Sequence, residues 1–148
     1  MAKVHGIILL VIAFLELLLA LYILLQNHRD RIRRWYSFFI FSVSLWVWPI
    51  GLIVFINRVG IIEFISKLNW VGPIFIAPTL LFLSWIFPYK LKQISIKNWL
   101  VFLLPIFIFL ILLFTPIFPI LESANLDEWR TVNFGPGLHL FNAFFVIY

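Results

Sequence analysis

The stretch "GIILLVIAFLELLLALYILL", Gly6 to Leu25, decides the fold. It is 20 residues long, and its only Asp, Glu, Lys, Arg or His residue is Glu16. An α-helix rises ~1.5 Å per residue, so about 20 apolar residues cross a hydrocarbon core of ~30 Å. The run exceeds the ~7–15 residues of a signal-peptide core and lacks a small-x-small cleavage site after it. It therefore reads as a retained membrane helix.

The rest of the chain repeats the pattern. Of 148 residues, 64% are hydrophobic, 20% aromatic and 11% charged, with a mean hydropathy of +1.11. A soluble domain is about half apolar and about a quarter charged. The fold class expected is all-α, a polytopic transmembrane helix bundle with four complete spans and a partial fifth. The spans are placed at about 6–25, 35–56, 70–87, 99–120 and 138–148, within one membrane-embedded domain. The last run begins after Gly135-Pro136-Gly137 and is only 11 residues long, so it reads as the first half of a helix cut at Tyr148. In the connector "NRVGIIEFISKLN", 57–69, Glu63 and Lys67 have the i, i+4 spacing that supports a helical turn. That turn is either the outer end of the third helix or a short interfacial piece. Pro73 and Pro78 predict a kink in span three, and Pro116 and Pro119 mark the fraying end of span four.

Basic residues sort by loop. Arg29, Arg31, Arg33 and Arg34 follow span one; Lys90, Lys92 and Lys97 follow span three. These seven of the 11 Lys and Arg residues act as topology determinants, because short cytoplasmic loops collect positive charge. The N-terminus is expected outside the cell membrane and the 122–137 loop extracytoplasmic. The net charge of +5 belongs to these loops and is no nucleic-acid signal. The absence of cysteine excludes disulfides and thiolate metal sites.

Candidate site residues are few. A charged carboxylate at mid-membrane costs roughly 2.5–3.5 kcal/mol on insertion scales, so Glu16 is expected to face a bundle interior. Ala13 and Ala20 lie at i−3 and i+4 from it, and small residues on one face favour helix packing. Glu16 is a candidate for ligand, proton or signal coupling; the plainer and favoured reading is an interhelical hydrogen bond. In span two, Ser42, Trp46 and Pro49 share one face, and Ser44, Trp48 and Gly51 another. Two tryptophans at mid-membrane depth could line an aromatic pocket or flank a hinge, although packing is the simpler account. Pro78, His139 and Asn142 complete the intramembrane polar and coupling candidates. In the outer loop, Asp127, Glu128, Trp129, Arg130 and Phe134 offer a ligand contact or an interfacial anchor. No phosphate loop, metal-spaced His and acid cluster or nucleophile with a base is present, so no catalytic, cofactor or metal site is expected.

The order of features resembles the N-terminal seven-transmembrane sensor region of bacterial histidine kinases. The elements are "LLQNHRDRIRR", then "WYSFFIFSVSLWVW", then "IAPTLLFLSWIFPYK", then "NWLVFLLP", then "FGPGLHLFNAFFVIY". The resemblance implies a seven-helix input module with an outside N-terminus. It also implies a cytoplasmic output domain after the last helix, a homodimer in the full-length protein, and a ligand from outside or from the bilayer. A fragment of a transporter or channel is the alternative, supported by Glu16 and the prolines. An integral-membrane enzyme is weaker for lack of a catalytic constellation.

Overall fold

The computed structural model describes residues 2–26, 29–87, 96–114, 121–123, 133–134, 139 and 142–143. Four α-helices follow in order: α1 (Ala2–Gln26), α2 (Arg31–Ile53), α3 (Val59–Ile86) and α4 (Ile96–Phe114). Three of them, α1 to α3, are long and apolar enough to cross a membrane. Helix α4 is 19 residues long, and among the described residues its apolar stretch is Leu103–Leu113. The all-helical class therefore holds, with three long apolar helices among the described residues; residues 115–120 of the expected fourth span lie outside them. Of the fifth span only His139, Asn142 and Ala143 are described, each in a helical position. A two-stranded antiparallel ladder, β1 (Leu121–Ser123) with β2 (Asn133–Phe134), lies within the polar stretch that the sequence reads simply as a loop.

Local chemistry sets the helix ends. The α1–α2 turn is closed by Asp30, whose carboxylate accepts from the Ile32 amide at 3.0 Å and whose carbonyl takes the first helical bond from Arg34 at 3.1 Å. This cap starts α2 four residues before Trp35, so Arg31, Arg33 and Arg34, expected in a loop, belong to its first turn, and Arg29 precedes it. At the other end, the amides of Phe55 and Ile56 bond three residues back to Leu52 and Ile53, tightening the last turn. Helix α3 begins at Val59, well before the expected Trp70, and includes the connector with Glu63 and Lys67. Those two side chains pair at 3.3 Å. Helix α3 stops where Phe87 adopts φ −103° and ψ 128°, the extended backbone imposed on a residue that precedes a proline, here Pro88.

Each helix packs chiefly on its sequence neighbours, so the four form an open row. Helices α2 and α3 run antiparallel. Trp35 stacks on Phe82 with centroids 4.0 Å apart, and Phe38 meets Phe75 edge-on at 5.6 Å. Between these pairs and the far end, Gly72 brings the two backbones together. A Cβ at Gly72 would lie 2.6 Å from both the Ser42 carbonyl oxygen and the Trp46 amide nitrogen. A core of Ile74, Phe82, Ile86, Ile106 and Leu113 then joins α3 to α4. Most of α1 remains exposed and apolar, including Val4, Ile7, Val11, Phe14, Leu18 and Leu25. Such a surface is compatible with lipid and costly in water.

Gly72→Ala is expected to lower stability by about 1–3 kcal/mol, because backbone atoms on α2 leave no room for the methyl group. Gly60→Ala meets no atom within 4 Å and is expected to leave stability unchanged or raise it by up to about 1 kcal/mol. Unfolding in detergent micelles, followed by circular dichroism, compares the two; equal effects would contradict the α2–α3 contact.

Candidate functional site

The site is built on the seam between α1 and α2. Small residues recur every seven positions on both helices: Gly6, Ala13 and Ala20 on α1; Ser37, Ser44 and Gly51 on α2. They meet in antiparallel register. The Ser37 hydroxyl donates to the Ala20 carbonyl at 2.6 Å, and the Ser44 hydroxyl donates to the Ala13 carbonyl at 2.7 Å. One step further, a Cβ on Gly51 would approach the Gly6 carbonyl oxygen to 3.1 Å and Leu10 Cγ to 2.9 Å. All six residues are buried. A seven-residue repeat keeps one face toward a partner when helices wrap left-handedly, so one register persists along the seam. Each hydroxyl uses the spare lone pair of a carbonyl that can still accept its own helical bond.

Glu16 sits one turn beyond Ala13, at the edge of this seam. Its residue surface is partly buried, and its Oε2 is fully buried with no hydrogen-bond partner among the described residues. The packed face that the Ala13 and Ala20 spacing predicts is present, with both alanines buried against α2. The interhelical hydrogen bonds on that face come from Ser37 and Ser44, and none is made by Glu16 Oε2. A second orphan lies across α2. Asn69 Oδ1, one turn before Gly72, is likewise buried without a partner among the described residues. Two unpaired acceptors thus flank α2, each one helical turn from a close backbone approach. Acceptors of this kind can take a hydrogen bond from a donor group or hold a proton; an unpaired one in a low-dielectric site is costly.

The remaining candidates separate. Ser42 is fully buried, but its hydroxyl donates to Phe38 of its own helix at 2.8 Å. Pro49 is buried, while the Trp46 side chain lies outward and is 44% exposed, so the three do not form a shared pocket. Trp48 is also exposed. Pro78 is fully buried within α3, and α3 continues unbroken through it. Next to Pro78, the Thr79 hydroxyl bonds the Phe75 carbonyl at 2.5 Å. His139 and Asn142 are exposed. The outer-loop candidates Asp127, Glu128, Trp129 and Arg130 lie outside the described residues, as do Lys90 and Lys92. Arg29, Arg31, Arg33, Arg34 and Lys97 are all exposed. Among the described residues no group of His, Cys, Asp and Glu could hold a metal ion.

Asn69 is the site residue that sequence reading passes over. It closes a polar connector, which hides it as a loop residue. The available signal is its three-residue spacing from Gly72, the same spacing that joins Glu16 to Ala13. No protein-family model, curated protein or solved structure matches the chain.

The chain contains no cysteine, so an introduced pair can report the seam directly. Ala13→Cys with Ser44→Cys is expected to cross-link on mild oxidation, and Phe14→Cys with Ser44→Cys to remain reduced. Loss of one hydroxyl in Ser44→Ala is expected to cost about 0.6–2 kcal/mol, measured by unfolding in detergent. Ser44→Leu should separate the helices and abolish the Ala20→Cys with Ser37→Cys cross-link.

Proposed function

We propose that the chain is the membrane-embedded sensory input module of a signal-transducing histidine kinase or a similar receptor. In this reading four complete spans and part of a fifth cross the cell membrane, with the N-terminus outside. The full-length protein is a homodimer. A ligand from outside, or borne by the membrane, shifts the helices and so biases a cytoplasmic output domain. The observation that carries the proposal is the pairing of a rigid seam with unsatisfied polar atoms beside it. Among the described residues, Glu16 Oε2 on α1 and Asn69 Oδ1 on α3 are each buried without a hydrogen-bond partner. Either could gain a hydrogen bond in a second helix arrangement, and a signal acts by favouring one of two arrangements. The order of sequence motifs supports the same reading.

The orientation rests on charge. Four arginines lie at 29–34, across the α1–α2 turn and the first turn of α2, whereas the α2–α3 turn and the start of α3 carry Arg58 and Lys67. Alkaline phosphatase fused within the 122–137 loop is expected to be active, and fused after Arg29 inactive; the reverse pattern would invert the topology.

Function is tested on the complete reading frame. It is expected to continue through further apolar helices into a phosphoacceptor histidine and an ATP-binding segment. In that protein, Glu16→Gln is expected to change basal autophosphorylation by about fivefold, a shift of roughly 1 kcal/mol between two states, with membrane levels unchanged. A frame that instead supplies inverted membrane repeats and no output domain would support a transporter and refute the sensor.

A further inference from the structure

The turn that joins α1 to α2 holds the densest charge in the chain. Arg29, Arg31, Arg33 and Arg34 lie within six residues, with Asp30 as the only acid among them. All four arginines are exposed. Helix geometry sorts the segment: Ile32 and Trp35 turn inward onto the apolar core, while Arg31, Arg33 and Arg34 turn outward. The stacking of Trp35 on Phe82 anchors this end of α2 to α3. One carboxylate, Asp30, stands against four guanidinium groups in this segment. One carboxylate oxygen caps the Ile32 amide, and the other lies 3.6 Å from Arg33, a spacing at which an exposed pair is weak. Arg33 is further held by Gln26 Oε1 at 3.2 Å, which ties the turn to the end of α1.

The position of this charge is as telling as its amount. Tyr22 on α1 and Tyr36 on α2 are exposed just inside the turn. Tyrosine and tryptophan favour the membrane–water interface, so these rings mark its level. The arginines stand immediately beyond, where lipid phosphates lie. They also crowd the start of α2, whose dipole is unfavourable for cations and favourable for anions. Asp30 at the N-cap is the one carboxylate at this helix end, and the first turn adds none.

We propose that the 29–34 turn is a docking surface for the phosphate headgroups of anionic phospholipids. The guanidinium groups bind phosphate oxygens, with Arg29, Arg31 and Arg34 as the principal contacts and Arg33 as the brace that positions the turn. Guanidinium suits this role because its planar fork can engage two oxygens at once. Helices α1 and α2 are thereby fixed in depth at this leaflet. The inference depends on a membrane-embedded chain and is independent of the sensor reading.

The test uses the purified full chain, reconstituted in bilayers of equal phosphatidylglycerol and phosphatidylcholine. After mild detergent extraction, the lipids that remain bound are quantified by mass spectrometry. Phosphatidylglycerol is expected in excess, by about fivefold for each engaged arginine, and less so as salt is raised. The triple variant Arg29→Gln, Arg31→Gln, Arg34→Gln is expected to retain the two lipids equally. A control at the opposite end, Arg58→Gln with Lys67→Gln, is expected to keep the excess. Equal retention by the unaltered chain, or an undiminished excess in the triple variant, would overturn the proposal. So would displacement of phosphatidylglycerol by inorganic phosphate with matching thermal protection, which would mark a small-anion site. If the triple variant loses its helical circular dichroism, Arg34→Gln alone decides: the excess should fall by about fivefold, and an unchanged ratio overturns the proposal.

Discussion

The hydroxyl-to-carbonyl contacts between α1 and α2 are the constraint on which the arrangement depends. Lipid tails are as apolar as leucine, so the hydrophobic effect does not hold membrane helices together. Close packing and hydrogen bonds must do so. Helix α1 offers only Gly6, Ala13 and Ala20 as small residues toward α2, and its other faces are large and apolar. With any other face turned inward, Phe14, Leu15 or Leu18 would hold the helices apart and the serine hydroxyls out of reach. The Ser37–Ala20 and Ser44–Ala13 bonds therefore fix rotation, register and depth together.

Helix α2 carries this constraint to the rest of the row. Its Ser37–Ser44–Gly51 face meets α1, and the Ser42 and Trp46 backbone meets Gly72 of α3. Both contacts bring backbone against backbone, which packed side chains would prevent. The prolines fit the same scheme. Pro49 and Pro78 are buried at helix contacts, where a missing amide hydrogen is tolerated more readily than in lipid. Neighbouring hydroxyls at Ser42 and Thr79 bond carbonyls within their own helices, which hides polar atoms that would otherwise face hydrocarbon.

The helical class, the apolar spans and the small face around Ala13 and Ala20 were legible in the sequence because each is a local property. Composition and a repeat along one helix suffice for them. The pairing of that face with Ser37 and Ser44 was not legible, since it depends on the register of a second helix. Helix boundaries misled for a different reason. Polarity suggested a loop at Arg31–Arg34 and left 57–69 open between the outer end of the third helix and an interfacial piece; of these two the helix end holds, because a helix extends past its apolar stretch whenever its backbone bonds are satisfied. Asp30 does this for α2 through its cap; in α3 the Glu63–Lys67 pair adds modest support. Asn69 was passed over at the end of that connector. Trp46 and Trp48 misled in the other direction, since sharing a face with buried residues did not bury their rings.

Glu16 takes its significance from the seam. Because the register of α1 is fixed, the carboxylate cannot escape an unfavourable position by rotation. It is therefore held at the edge, with Oε2 buried and unpaired among the described residues. Asn69 is held similarly by the close approach at Gly72. A buried acceptor without a donor raises the energy of the state that contains it. Any process that supplies a donor to that edge, whether a proton, a ligand or another helix, favours the arrangement that accepts it. The same packing that stabilises the row thus leaves two defined places where its balance can be shifted.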